Sequence, residues 1–174
     1  KIKKVCKKRN IYILEDAAEA LGSYIKSQNS KKYYHCGSIG DVGCLSFNAN
    51  KIITTGSGGA LITNDKNIFK KSEYLASQAK DDSFNYIHNE CGYNYKMNGL
   101  NAGLGLSQIS KLSNKITKRK NIYKRYYYNF KSHNKIRILD LTDVSKINYW
   151  INVAYFEKLG HQNVEKLSIF LKKK

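Results

Sequence analysis

The stretch Cys44 to Thr63, CLSFNANKIITTGSGGALIT, constrains the chain more than any other. An apolar run (Cys44, Leu45, Phe47) leads to Lys51, which is flanked by small polar residues. A glycine-rich turn, Gly56-Ser57-Gly58-Gly59, follows, and Ala60-Leu61-Ile62 begins a second apolar run. Two such runs read as buried strands, so the lysine between them stands on a rigid support rather than on a waving loop. Glycines just after it would let backbone approach a ligand closely. That is a seat for a reactive amine, although a lysine beside a glycine turn is more often an ordinary surface residue. The rest of the chain must decide.

Upstream, Ile2, Val5 and Cys6 fall at helical spacing with lysines between them, and Asn10 makes the turn that follows. Ile11-Tyr12-Ile13-Leu14 is a short continuous apolar run, the pattern of a strand buried on both faces of a parallel sheet. It ends in Glu15-Asp16. In open α/β sheets ligands gather at the carboxyl ends of strands, which would put Asp16 at a site. Equally, its carboxylate could cap a short helix over the residues that follow. Residues 24–38 read as a polar excursion over the surface, and Gly37, Gly40 and Gly43 punctuate the way into the opening stretch.

Downstream, Asn64-Asp65 turns the chain into a helix carrying Ile68, Phe69, Tyr74 and Leu75. From Asn101 to about Asn129 the pattern is helical. Ala102, Leu104, Leu106, Ile109 and Leu112 form an apolar stripe expected to pack in the core, prolonged by Ile116, Ile122 and Tyr126. Beyond residue 115 no glycine occurs until Gly160 and tyrosines crowd. Lys135 to Leu141 and Tyr149 to Phe156 read as strands, and Val164 to Lys172 as a helix. The expected organisation is therefore residues 1–114 as part of a larger α/β domain and residues 115–174 as a connecting helix and the start of a smaller one. The first residues read like a helix already under way, so a piece of something longer is expected.

Composition narrows the function classes. With 41% hydrophobic residues the chain can build a core, and it has no apolar run of about 18 residues to span a membrane. The four cysteines form no C-x-x-C pair, and His35-Cys36 lacks a second ligand pair at metal-binding spacing, so a reduced cytoplasmic protein without a metal is expected. A net charge of +18 would suit a nucleic-acid-binding module. The lysines, however, are scattered among Asn, Ile and Tyr, as solvated positions are. No nucleic-acid or membrane partner is expected, and the basic module stays as an alternative that predicts steeply salt-dependent binding.

Four stretches together resemble the DegT/DnrJ/EryC1/StrS group of pyridoxal-phosphate sugar aminotransferases. They are Glu15–Ser23 (EDAAEALGS), Gly40–Phe47 (GDVGCLSF), Asn48–Gly59 (NANKIITTGSGG) and Gly92–Leu106 (GYNYKMNGLNAGLGL), with a looser likeness elsewhere that includes Asn148-Tyr149-Trp150. The resemblance implies the aspartate aminotransferase type I fold, with an incomplete, mostly parallel sheet and helices on both faces. It implies pyridoxal 5'-phosphate as cofactor, Lys51 as its Schiff-base lysine and Asp16 as partner of the pyridine nitrogen. Glu19 would lie beside the ring, where many members carry Gln. Ser46 would bind the phosphate, and Asn94 would reach the phosphate of a neighbouring subunit in a homodimer with shared active sites. Within the group, NANKIITTG and residues 78–90 look most like nucleotide-sugar 4-aminotransferases of the legionaminic acid, bacillosamine or perosamine type. Their reaction moves an amino group from glutamate onto a 4-keto-6-deoxy nucleotide sugar for surface polysaccharide. A dehydratase of the same fold carries histidine where this chain has Lys51. Lys96 stands where Arg is usual and cannot reproduce its bidentate fork. The chain alone is expected to be inactive.

Overall fold

Lys51 is carried by a hairpin, and the sheet grows outward from it. The structure is a computed structural model that describes residues 2–27, 30–140, 145–157 and 160–173. Strand β4 (Val42–Ser46) pairs antiparallel with β5 (Gly59–Ile62) and parallel with β1 (Leu14–Asp16), in the order β1-β4-β5. The register sets Asp16 opposite Cys44 and Ser46 opposite Gly59. The class is α/β, and the sheet is mixed, with β5 running against the other two.

The close approach that builds this sheet depends on Gly43. It is buried in the middle of β4 while the backbone of Gly37 passes directly over it. Gly37 itself turns with φ 90, a conformation that glycine adopts freely. The carboxylate of Glu15 holds the crossing loop, accepting from the backbone N–H of Gly37 (2.9 Å), Ile39 (2.5 Å) and Gly40. Charge-assisted bonds of this kind are strong, and here one side chain satisfies three backbone donors that no strand pairs.

The apolar run Ile11–Leu14 departs from expectation. The strand begins three residues late, at Leu14, and Leu14 is 65% exposed. β1 is an edge strand, and among the described residues no further strand pairs with its outer side. Residues 24–38 are also not an irregular excursion. They form a hairpin, β2 (Tyr24–Lys26) with β3 (Tyr33–His35), closed by the edge-to-face pair Tyr24–His35. The free edge of β2 takes β7 (Ser145–Lys146) from far along the chain. A further pair, β6 (Ile136–Ile138) with β8 (Ala154–Phe156), is much shorter than the strand expected over Tyr149 to Phe156, because Tyr149 adopts φ 54.

The helices begin where the caps place them. α1 (Ile2–Lys8) ends before Asn10, which turns the chain at φ 52. In α2 (Lys66–Ala76) the Asp65 carboxylate accepts from the N–H groups of Asn67 and Ile68. α3 (Gly99–Ile109) is capped by Asn98, whose side chain accepts from Asn101 N–H at 2.9 Å. The long helix expected from 101 to 129 is broken at Ser110-Lys111, and α4 (Leu112–Phe130) follows. α5 (His161–Lys172) closes the described chain.

The expected core stripe on α3 is corrected by the structure. Leu104, Leu106 (74%) and Ile109 are exposed. The face that packs inward instead carries Gly105 and Gln108. The Gln108 side chain donates to Thr54 C=O at 2.6 Å, and a Cβ on Gly105 would stand 2.8 Å from the Thr55 methyl. Small and polar residues bring α3 close to the lysine-bearing loop, and the leucines turn outward. On α4 the buried residue is Tyr123, not the neighbouring Ile122 or Tyr126. Its ring packs 5.0 Å from that of Tyr149.

Burial, then the nearby Asp140 carboxylate, pushes the Tyr123 phenol from 10.0 up to about 12. In the unfolded chain this proton leaves near pH 10, whereas the folded chain keeps it. Folding stability contributed here is full below pH 10 and declines as pH rises towards 12. Denaturation midpoints measured across that window should fall in the wild type and fall less in Tyr123→Phe. Equal slopes would refute the assignment.

Candidate active site

The loop between β4 and β5 is tied at several points. Phe47 N–H donates to Gly58 C=O and Thr55 N–H to Phe47 C=O, each at 2.9 Å, while Lys51 N–H donates to Asn48 C=O at 3.0 Å. Ile52, Ile53 and Thr55 are among the most buried residues of the chain. Lys51 is thus fixed by the burial of its neighbours. The glycines serve turn geometry: Gly56 and Gly58 have φ of 80 and 103, and Gly59 passes tight against the Leu45 carbonyl. An added Cβ on Gly56 would meet nothing within 4 Å.

The Lys51 side chain is only 12% exposed. Its Nζ lies 3.2 Å from Oε1 of Glu19 and 4.3 Å from the centre of the Trp150 ring. Ala18, Leu21, Ser46 and Ile52 complete the wall of this cleft. Glu19 itself is 62% exposed, so its carboxylate can swing away from the amine at little cost.

Three residues singled out from sequence, Lys51, Glu19 and Ser46, therefore meet in one cleft. Ser46 Oγ accepts from Asn48 N–H at 3.3 Å and keeps its own hydroxyl proton for another acceptor. Asp16 stands at the carboxyl end of β1 beside β4, exposed, with Oδ1 accepting from Ala18 N–H at 3.1 Å. It caps a turn, not the short helix anticipated, because Ala17 N–H bonds across to Cys44 C=O and carries the chain past helical geometry. Its Oδ2 points to no described donor. Asn94 lies apart from the cleft: it is exposed, bridges to Ser77, and sits on a segment whose Tyr93 and Tyr95 N–H groups bond the end of α2. Lys96 forms a 3.8 Å ion pair with Glu73.

Sequence reasoning left two site residues without a role. Trp150 covers Lys51, and Asn148, 6% exposed, ties the same segment to the Glu19 loop through bonds to the carbonyls of Glu19 (2.8 Å) and Leu21 (3.0 Å). The available signal was the uniqueness of Trp150 in the chain. Its contact with a lysine 99 positions away could not be read from spacing.

Glu15 does not line the cleft; it holds residues 37–40, beside Cys36. Burial, and next the Glu15 charge, push the Cys36 thiol above its usual range. Only the thiolate attacks an alkylating agent. At pH 8 Cys36 should therefore be alkylated more slowly than exposed Cys91, and Glu15→Gln should speed it. Mass spectrometry of iodoacetamide-treated chain reads both rates, and equal rates at the two cysteines would contradict the burial.

The donor set suits a pyridoxal phosphate in part. A sheltered amine with a displaceable partner, a hydroxyl on the adjoining strand end and a carboxylate with a free oxygen answer its aldehyde, phosphate and ring nitrogen respectively.

Comparison with known proteins follows the same lines. The family model of the DegT/DnrJ/EryC1/StrS aminotransferase family matches residues 1–174. EpsN of Bacillus subtilis, which bears the name of a pyridoxal phosphate-dependent aminotransferase, is 35% identical over 171 residues, covering 92% of this chain and 42% of its own length. A UDP-4-amino-4,6-dideoxy-N-acetyl-beta-L-altrosamine transaminase of Campylobacter jejuni is 32% identical over 147 residues, covering 83% of this chain and 38% of its own. The PLP-form of Spr1654 from Streptococcus pneumoniae superposes with a TM-score of 0.83 at 27% identity, covering 97% of this chain and 43% of that one. The chain thus spans less than half the length of the relatives it matches. With the mixed sheet, the sheltered lysine and a family match over its full length, the chain belongs to the DegT/DnrJ/EryC1/StrS aminotransferase family.

Proposed function

We propose that this chain is part of a pyridoxal phosphate-dependent aminotransferase that moves an amino group from glutamate onto a 4-keto-6-deoxy nucleotide sugar in surface polysaccharide synthesis. The observation that carries the reading is Lys51, 12% exposed and held next to the buried Ile52 and Ile53 with, among the described residues, one exposed carboxylate for an ionic partner. Support for the substrate class comes from the Campylobacter jejuni relative, whose named product carries nitrogen at C4 of a 6-deoxy sugar and so requires a 4-keto precursor.

When bound, pyridoxal phosphate supplies the carbonyl that takes up nitrogen and the ring that stabilises negative charge at the reacting carbon. Each residue then has a task. Lys51 Nζ would hold the cofactor and, when free, could accept and return a proton. Asp16, at the strand end, would pair with the ring nitrogen and favour its protonated form. Ser46 Oγ would donate to the phosphate, and Glu19 would give up its ion pair with the lysine. Asn94 serves the site of a second copy in a homodimer; its exposure, and that of the adjacent Tyr95, supports that assignment. The chain divides near residue 114, and the protein works in the cytoplasm. Among the described residues no helix is long and apolar enough to cross a membrane.

The test replaces the matched segment of the Campylobacter jejuni transaminase with this chain. Isotopically labelled nitrogen from glutamate should appear on a 4-keto-6-deoxy nucleotide sugar. A chimera that folds and binds cofactor but moves no nitrogen would defeat the substrate reading. The 174-residue chain alone should give no turnover.

A further inference from the structure

The chemistry above leaves Trp150 unused, yet it makes the closest aromatic contact of Lys51. The ring face lies 4.3 Å from Nζ, and the indole N–H donates to the carbonyl of Asn50, the residue just before the lysine, at 2.6 Å. The ring is therefore anchored to the same loop that carries the amine. Its own backbone is held as firmly. Trp150 N–H donates to Asn148 Oδ1 at 3.0 Å, and Asn148 N–H donates to Ser23 Oγ at 3.1 Å. Between them Tyr149 sits at φ 54, a left-handed conformation that a bulky residue adopts only when its surroundings demand it. That bend sends Tyr149 into the contact with Tyr123 and leaves Trp150 facing the lysine.

A cation over an indole face is attracted most strongly when it is shielded from water. Here the ammonium is nearly buried, whereas its ionic partner Glu19 is not. The aromatic face is thus the fixed element and the carboxylate the mobile one. We propose that Trp150 is the positioning residue for Lys51: it holds the amine at the mouth of the cleft when Glu19 moves off. Through Asn148 it also makes that position depend on the docking of residues 145–157. This inference rests on the reading of Lys51 as the reacting amine.

Trp150 is the chain's single tryptophan, so its emission reports the surroundings of this ring alone. In the 174-residue chain Lys51→Met should shift that emission and Lys51→Arg should largely restore it. Lys80→Met, which removes a lysine over Tyr86, should leave it unchanged. The second arm takes the chimera with the Campylobacter jejuni transaminase, adds pyridoxal phosphate, reduces with borohydride and maps the labelled lysines. Trp150→Leu should lower the share of label on Lys51 about fivefold, and Trp150→Phe, which keeps an aromatic face, should retain most of it. Unchanged emission in Lys51→Met, or wild-type labelling in Trp150→Leu, overturns the proposal. Wild-type chimera with no preference for Lys51 would instead sink the aminotransferase reading, and the emission arm would still decide where Trp150 stands.

Discussion

Lys51→Ala should abolish cofactor attachment at position 51 and stop amino transfer in the chimera, while leaving the fold intact. Loss of a positioned proton carrier alone slows a reaction by about 10²–10⁴-fold, and here the same side chain also holds the cofactor. Stability should hardly change, for two reasons. The ion pair is with a largely exposed carboxylate, and the following Ile52 and Ile53 stay buried whatever side chain precedes them. Borohydride trapping followed by peptide mapping checks the first point, and circular dichroism checks the second. Mapping is needed because the many other lysines of the chain give pyridoxal phosphate surface amines to meet, so a visible imine band is not diagnostic by itself. Label that persists at the same stoichiometry in the Ala variant would remove Lys51 from the mechanism.

The second large effect concerns folding. Gly43→Ala would place a Cβ against the Gly37 carbonyl oxygen, 2.6 Å from its carbon and 2.7 Å from its Cα. None of these is a flexible side-chain end that could move aside. Relief would require the Gly37 loop to lift, breaking the bonds from the Gly37, Ile39 and Gly40 N–H groups to Glu15. Overpacking of this kind costs about 1–3 kcal/mol, and the loss of charged hydrogen bonds adds about 1.5–3 kcal/mol. In urea the midpoint should drop sharply, and cofactor labelling at Lys51 should fall with it, since β4 carries both Gly43 and Ser46. By contrast, Gly56→Ala meets no neighbour and is strained only by its φ of 80, so its effect should be far smaller. Similar midpoints for the two variants would show that the loop does not cross β4 as described.

Some of the site was legible because its signals are local. Lys51, Ser46 and the glycine turn lie within 14 residues, and the hairpin that joins them is dictated by two apolar runs with a turn between. The cap of Asp65 on α2 follows in the same way from neighbours in sequence. Glu19 was placed beside the cofactor by family likeness, and its contact with Lys51 is a tertiary fact. The helix stripe shows the opposite case. Helical pattern found the apolar residues of α3, but it carries no information about which face meets the rest of the molecule. Gly105 and Gln108 won that contact because the backbone of Thr54 offered hydrogen bonds and the Thr55 methyl required close approach.

By itself, then, the sequence determined that a lysine stands on a strand–turn–strand support, preceded by an acidic strand end, in a chain of this family. Only the tertiary structure decided what the lysine touches. Trp150 and Asn148 are separated from Lys51 and Glu19 by about a hundred residues or more, and their contacts arise from the fold of residues 145–157 back onto the β1 end of the sheet. Local pattern specifies which bonds a backbone can make with its near neighbours. Which distant side chains share a cleft is set by how whole elements pack, and for the sheltered amine of Lys51 that packing puts an indole face on one side and a movable carboxylate on the other.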